Sequence, residues 1–484
     1  MGRIVQCSNL VSAMAFNECI SAQNGYAREK TVMKTVIVST LVMVCCTQYA
    51  IAKEVFRVEQ IARYLTKENP YVYTAIGKQY IDEARAQASM GAFDSKLSSY
   101  MDNKEYPLSD GRYLDVTLAK PIENGTELLV GYRKAEGIQE YNNIKTGDEG
   151  EYRIGVKVPI FSILNDMSYR KYTVESASLG AVQSKFEAQN NIRNLYSSVI
   201  VSYYTLLYYH EIFKLEKALL QKAEKRYAFT RSRVSSGDLP EVALLDAKQQ
   251  ILQRKQRVLS TQNSYHNAFR ILLKYLNISQ NQFDAHYQLP SLSLLKKNRI
   301  VLQSAIDEAL EKRSDLRALE YKRAKLNLQG DYNALSQYPD VSISAYGVQD
   351  IRYGSGTKVG LNFDFPLERT GYEGRKVEIQ RGIAQVEEEQ NKLKLELKTN
   401  LTNLLYSLEV LNENIKNSQE EIGLVEELER VENKKYEVGS SNLFEVNQRE
   451  MFTLQAQQKQ LEYYLNILLI QQDIKREMGE LLTL

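Results

Sequence analysis

Tryptophan is absent from this 484-residue chain, and histidine, cysteine and proline are all scarce. The three histidines, His210, His266 and His286, are scattered along the sequence, so they indicate neither a catalytic constellation nor a metal-binding cluster. All four cysteines precede residue 47, which excludes disulfides and thiolate metal sites from the rest of the chain. We therefore expect no enzymatic activity, no cofactor and no bound metal.

A strong charge of either sign is also missing. The chain has 62 basic and 60 acidic residues, a formal net charge of +2, and this balance indicates no nucleic-acid partner. After residue 52, no stretch approaches the roughly 18 to 20 apolar residues that a membrane-spanning helix requires. If the protein spans a membrane, the sequence requires that it do so as a closed β-barrel.

Residues 33–52 have the order of a cleavable signal peptide. Lys34 precedes an apolar run from Val36 to Val44, and Ala50-Ile51-Ala52 provides an A-x-A cleavage site. We expect cleavage after Ala52 and secretion of the remaining chain. Residues 1–32 are then either the product of a misassigned start or a dispensable extension.

Two alternatives for this N-terminal segment stay open: a short buried helix, and a lipidated cysteine at Cys45 or Cys46. Val44 disfavours lipidation, because a small residue is expected at that position. Cleavage after Ala52 removes four basic and two acidic residues, so the mature chain would have a net charge near zero.

Proline, which breaks helices, is also missing from two long spans: between Pro159 and Pro240, and after Pro366. In the first span, apolar or aromatic residues recur every seven positions from Ile192 to Val234. In the second, leucines and isoleucines from Leu397 to Ile415 alternate at steps of four and three. Both patterns predict long helices that pack on partner helices along their length. The second helix, from about 374 to 438, would reach roughly 100 Å.

Two further segments have the period of two that is typical of strands. Near 126–159, Leu128, Val130 and Tyr132 alternate with Leu129, Gly131 and Arg133, and a similar alternation occurs near 341–366. Each segment predicts a strand pair with one apolar and one polar face. Such strands occur in soluble sandwiches and in transmembrane barrels, and the signal peptide and long helices favour a barrel.

The sequence contains an internal repeat. A strand pair, a long helix, a glycine turn and a shorter return helix occur twice, with the turns at Gly237 and Gly439. This predicts an N-terminal segment, 1–52, followed by structural repeats over 53–277 and 278–484. Because four strands cannot close a barrel, the chain must oligomerise: two copies would give eight strands and three would give twelve.

The duplicated order, the two glycine turns and three local strings resemble the TolC family of outer-membrane efflux and secretion channels. The strings are Ala84 to Leu97 (ARAQASMGAFDSKL), Arg313 to Glu320 (RSDLRALE) and Tyr338 to Ser342 (YPDVS). The resemblance implies a mainly α chain with membrane β-structure. It also implies a homotrimer, with a twelve-strand barrel in outer-membrane lipid and a twelve-helix barrel across the periplasm.

The function implied by the resemblance is passive conduction. Members of this family form the exit duct of a tripartite efflux pump or a type I secretion system, and they bind a periplasmic adaptor protein and an inner-membrane transporter. The competing hypothesis is a secreted periplasmic coiled-coil structural or adaptor protein without a pore. It explains the heptads but leaves the duplicated strand pairs without a role.

The resemblance also assigns residues to the periplasmic tip, where the family binds its adaptor and closes its entrance. For the entrance it implies Tyr436, Ser441, Glu445, Gln448 and Glu241. For adaptor docking it implies Val234, Gly237, Leu239, Val242, Val438, Gly439, Leu443 and Val446. Ser441 stands where the family has an arginine, and Gln448 where it has a second acid. These departures weaken the expectation of a salt-bridge lock and of two carboxylate rings, whereas a single ring from Glu445 would still favour cations.

Overall fold

A computed structural model describes residues 53–107, 109–137, 149–292 and 301–480. The predicted N-terminal extension and signal peptide lie outside the described residues. The chain divides into two compact units, a small one with residues 53–56 and 281–288 in its described part, and a large one that contains the remainder.

The small unit is held together by a short parallel sheet and an aromatic cluster. Strand β1 (Glu54–Val55) pairs with β6 (Tyr287–Gln288). The rings of Phe56, Phe283 and Tyr287 lie 4.9 to 5.4 Å apart in edge-on or tilted contacts. Such edge contacts suit the quadrupole of aromatic rings and give this small unit its core.

The large unit is mainly helical. Its described helices are α1 (Val58–Ile61), α2 (Pro70–Ser89), α3 (Ile160–Leu164), α4 (Tyr169–Ser235), α5 (Glu241–Leu276), α7 (Leu302–Lys312), α8 (Ser314–Ala334), α9 (Thr370–Glu437) and α10 (Leu443–Glu477). Helix α6 (Gln280–His286) belongs to the small unit from residue 281 onward and leads into β6. Helices α4 and α9 have 67 and 68 residues, or about 100 Å each. The expectation of long helices, made from the heptads and the missing prolines, is confirmed.

The start of α4 shows how the sequence sets a helix boundary. Ser168 has an extended backbone, and its hydroxyl accepts a hydrogen bond from the backbone N–H of Lys171 at 3.1 Å. The same hydroxyl donates to the carbonyl oxygen of Glu123 at 2.6 Å. One serine therefore caps the long helix and ties it to the turn around Glu123, which precedes the strand Glu127–Gly137.

In the part of the chain that the structure describes, six antiparallel strands form the main sheet. They are β2 (Lys96–Tyr106), β3 (Ser109–Pro121), β4 (Glu127–Gly137), β5 (Glu151–Pro159), β7 (Asp340–Asp350) and β8 (Gly354–Asp364). They are arranged in the order β2-β3-β4-β5-β7-β8. The two predicted strand pairs, β4–β5 and β7–β8, are thus neighbours, joined by pairing of β5 with β7.

The strand count predicted from the sequence is corrected by this sheet. The sequence predicts four strands, whereas the sheet has six, because the segment before Pro121 forms the hairpin β2–β3. The sequence of β2 gives no strand signal, because one of its faces mixes Leu97 and Met101 with Ser99 and Asn103 and so hides the apolar alternation. The prediction of a mainly helical chain with a β-sheet part is confirmed.

The sheet has two chemically different faces, because side chains alternate along each strand and paired residues share a face. One face carries exposed apolar side chains on every strand, among them Leu97, Leu118, Val130, Ile154, Ile343 and Leu361. The opposite face carries polar and charged side chains, among them Asp115, Arg133, Glu151, Arg153, Ser344 and Lys358.

The helical part of the large unit has its own core. Ala305 and Ala309 of α7 pack with Leu397 and Leu401 of α9 and with Ile474 of α10. Leu397 and Leu401 belong to the predicted heptad series, so that seam is buried as expected. Among the described residues, no helix combines the length and hydropathy of a membrane-spanning segment.

Candidate channel entrance

Helix α4 ends in the first glycine turn. Gly237 has φ +85°, a left-handed conformation that glycine adopts without steric cost. The N–H groups of Asp238 and Leu239 both donate to the carbonyl oxygen of Arg233, at 2.9 and 3.3 Å. These bonds satisfy the end of α4, and the chain reverses into α5 after Pro240.

Helix α9 ends in an equivalent turn. Gly439 has φ +81°, and the N–H of Ser440 donates to the carbonyl oxygen of Lys435 at 2.9 Å. Asn442 then caps α10, because its side-chain oxygen accepts a hydrogen bond from the backbone N–H of Glu445 at 3.0 Å. The two turns are therefore built alike, each from a left-handed glycine after a long helix.

The ends of α4 and α9 contact each other through Tyr436. This side chain is only 5% exposed, and its hydroxyl shares a 3.0 Å hydrogen bond with the hydroxyl of Thr230. Arg233 donates from Nη1 to the carbonyl oxygen of Tyr436 at 3.3 Å. The ring of Phe229 lies edge-on to that of Tyr436, with 6.3 Å between centroids. We call Phe229, Thr230, Arg233 and Tyr436 the tip contact.

A second polar contact joins the turn after α9 to the end of that helix. Ser441 donates from Oγ to Glu432 Oε1 at 2.5 Å, and Lys435 Nζ lies 3.5 Å from Glu432 Oε2. The hydrogen bond from Ser441, aided by the charge of Lys435, holds the pKa of the Glu432 carboxyl below its usual value. The carboxylate of Glu432, near the end of α9, is therefore ionised at neutral pH and binds Ser441 of the turn that follows the helix.

Comparison of the sequence with models of known protein families identifies the family of this chain. A family model described as outer membrane efflux protein matches residues 137–277 and 305–480. The chain belongs to the outer membrane efflux protein family. It is an outer-membrane efflux channel, located in the outer membrane with a periplasmic extension, and the resemblance to TolC-type channels is confirmed.

Solved structures of outer-membrane channels show the same fold. VceC from Vibrio cholerae is 13% identical with a TM-score of 0.67, and the match covers 87% of this chain and 96% of VceC. CmeC from Campylobacter jejuni is 12% identical with a TM-score of 0.66, covering 87% of this chain and 85% of CmeC. MtrE from Neisseria gonorrhoeae, in an open state, is 13% identical with a TM-score of 0.65, covering 87% and 89%. No curated protein matches the sequence.

In this efflux protein the residues expected at the entrance occupy different environments. Tyr436 is in the tip contact and Ser441 binds Glu432. Glu445 occupies the first turn of α10, where a carboxylate is also favoured by the helix dipole. Gln448 and Glu241 are exposed on α10 and at the start of α5. Their roles at an entrance stay a prediction.

The residues expected to dock an adaptor are also divided by burial. Val438 is 80% exposed, and Val242 and the two glycines are exposed as well. Val234, Leu239 and Leu443 are half-buried, whereas Val446 is fully buried at 0% exposure. An approaching partner would meet the first group directly, while Val446 can only support the surface from beneath.

The partners of Tyr436 and Ser441 are functional candidates that sequence reasoning missed. Thr230 and Glu432 have no motif of their own, and Thr230 lies 206 residues from Tyr436 in the chain. The offset between the two glycine turns was the available signal, since it aligns the ends of α4 and α9. The described residues hold no group of three or more side chains suited to bind a metal ion.

Proposed function

We propose that the chain assembles as a homotrimer that passively conducts substrate from the periplasm through the outer membrane. It would serve as the exit duct of a tripartite efflux pump or a type I secretion system. A periplasmic adaptor and an inner-membrane transporter would be its partners. The alternative of a periplasmic protein without a pore is not proposed, because the family is an outer-membrane one.

One observation carries this proposal: a two-faced sheet leads directly into very long helices. Strand β5 ends at Pro159 shortly before α4, and β8 ends at Asp364 shortly before α9. The apolar face of the sheet suits lipid, and the polar face suits a water-filled interior. A long helix after each strand pair extends the wall of the duct away from the membrane by about 100 Å.

At the far end of these helices, we propose that the tip contact is the resting closure of the entrance. The hydrogen bond between Thr230 and Tyr436 and the contact of Arg233 with Tyr436 join the end of α4 to the end of α9 within one chain. Opening would require the two helix ends to separate and break these contacts. The exposed residues of the two glycine turns, Val242 and Val438 among them, would receive the adaptor.

The proposal is tested by fractionating cells and comparing boiled with unboiled samples in electrophoresis. We expect the protein in the outer-membrane fraction as an oligomer of three chains that dissociates only on heating. Purified protein in a planar bilayer should conduct ions without an energy source. A monomer in the soluble periplasmic fraction would contradict the proposal.

A further inference from the structure

The number of strands in the sheet determines which two strands lie at its edges, where a second copy can pair. If each chain gave only the four predicted strands, β4 and β8 would be the two edges. Instead β3 pairs along the whole of β4, from Gly111 opposite Gly137 to Pro121 opposite Glu127. The edge of β4 is therefore occupied within the chain, and among the described strands β2 and β8 are the edges of the sheet.

The hairpin β2–β3 has the properties of the other strands. Its strands have 11 and 13 residues, enough for the roughly 9 to 11 that a tilted transmembrane strand needs. Leu97 and Met101 of β2 and Leu118 of β3 are exposed on the apolar face. Their neighbours Ser98 and Thr117 lie on the polar face and are paired with each other. The apolar face thus continues across all six strands.

Side chains also bind this hairpin to the rest of the sheet. On the polar face, Arg153 Nη2 of β5 lies 2.5 Å from Asp115 Oδ2 of β3. Tyr113 and Thr117 donate to the same carboxylate, at 2.9 and 2.6 Å. Because Asp115 reaches across β4 to β5, the hairpin is an integral part of the sheet.

The two edges are complementary in direction. Every neighbouring pair in the sheet is antiparallel, so with six strands the edges β2 and β8 run in opposite directions. Strand β8 of a second copy can therefore continue the alternation beside β2. Lipid tolerates no open strand edge, because unpaired backbone N–H and C=O groups have no water to bind there. Closure by identical copies satisfies both edges.

We propose that β2 of one copy pairs with β8 of the next, so that each chain contributes six strands and the trimer closes as an eighteen-strand barrel. The inference rests on the trimer of the proposed function, and it replaces the twelve strands expected from the sequence. Barrels of 16 to 18 strands enclose an aqueous channel. The extra hairpin raises the number of strands per chain from four to six. Because the diameter of a barrel grows roughly linearly with its strand number, the pore would be wider by about half.

Disulfide cross-linking tests this seam, since the chain has no cysteine after residue 46. Ser99→Cys, the fourth residue of β2, is combined with Val359→Cys, Leu361→Cys or Phe363→Cys on the same face of β8. Residues opposite each other on neighbouring strands have Cβ atoms about 4.5 to 5.5 Å apart, near disulfide range. We expect oxidation of one of these double variants to give covalent dimers and trimers that a reductant dissolves.

The matched series places the cysteine on β4 instead. Val130→Cys is the fourth residue of β4 and lies on the same apolar face, so it would meet β8 of the next copy in a twelve-strand barrel. We expect no cross-linked species from Val130→Cys with any of the three β8 cysteines. Cross-linking in this series would overturn the inference.

The test separates the seam from the proposed function. Heat-dissociable trimers in the outer membrane without any β2–β8 cross-link would overturn the eighteen-strand barrel and leave the channel proposal standing. Failure of the cysteine-free mature chain to form an outer-membrane oligomer would overturn both.

Discussion

At the scale of single residues, the hydroxyl of Tyr436 links the end of α9 to the end of α4. Tyr436→Phe removes the hydrogen bond to Thr230 and keeps the ring against Phe229. A hydrogen bond contributes about 0.5 to 1.5 kcal/mol, so three copies would shift the closed–open equilibrium by about tenfold or more. We expect a correspondingly longer open time in single-channel recordings.

The matched control for this prediction is Tyr406→Phe, which makes the same change on the same helix at a side chain that is 68% exposed. It should leave the recordings unchanged. Equal open times for wild type and Tyr436→Phe would show that this hydroxyl takes no part in closure.

A second residue-scale prediction concerns the buried charges at Asp315. Arg313 donates from Nε to Asp315 Oδ1 at 3.0 Å and from Nη1 to Glu477 Oε2 at 2.6 Å, and Arg193 lies 3.5 Å from Asp315. Burial alone would raise the pKa of the Asp315 carboxyl, but Arg313 and Arg193 outweigh it and hold the pKa below its usual 3.8. The ionised carboxylate therefore stabilises the fold above that pH.

Because the folded-state pKa is depressed, this stabilisation is present at neutral pH and is lost as the pH falls below 3.8 and through the folded-state value. Asp315→Asn should lower stability at neutral pH by about 3 kcal/mol, since the buried Arg193 and Arg313 both lose the charge of Asp315 and only Arg313 keeps a second carboxylate, Glu477. It should also flatten the acid dependence. The temperature of heat dissociation, measured against pH, checks both effects, with the exposed Asp246→Asn as control. Parallel curves for wild type and Asp315→Asn would contradict the assignment.

At the scale of elements, the glycine turns decide how each long helix reverses. Gly439→Ala forces a side chain into the left-handed region at φ +81°, at a cost of about 1 to 2 kcal/mol. We expect backbone amides of the turn to exchange hydrogen about tenfold faster. Gly423→Ala is the control, because Gly423 lies within α9 with no atom near its missing Cβ. There alanine should slow exchange or leave it unchanged, and equal effects at the two positions would refute the argument.

The elements that the sequence predicted are those with long-range periodicity. Heptads and missing prolines predicted both ends of α9 and the end of α4 to within a few residues, because one seam must remain apolar over many turns. Strand β3 has a period-two signal in Leu114, Val116 and Leu118, whereas β2 has none. The division into repeats at 53–277 and 278–484 stays a prediction.

The tip contact was beyond sequence reasoning for a different reason. Thr230 and Tyr436 meet only at the ends of two helices of nearly 70 residues, and along their length α4 packs mainly on α5 and α2 whereas α9 packs mainly on α10. A small error in the relative translation of α4 and α9 would bring Tyr436 to another residue. The family resemblance named the tyrosine, but its hydroxyl partner follows only from the packing.

At the scale of the whole molecule, the two faces of the sheet determine whether the chain enters the membrane as proposed. Ala345 is at the centre of β7, exposed on the apolar face, and its neighbour Ser344 lies on the polar face. Ala345→Arg would place a charge against lipid near the middle of the bilayer, which costs about 2 to 4 kcal/mol. Ser344→Arg introduces the same side chain one residue away, toward the interior. We expect Ala345→Arg to reduce the heat-dissociable trimer in the outer membrane severalfold, while Ser344→Arg assembles normally and alters conductance. If both variants assembled equally well, the apolar face of the sheet would not be the face that contacts lipid. That result would contradict the proposed orientation of all the strands in the membrane.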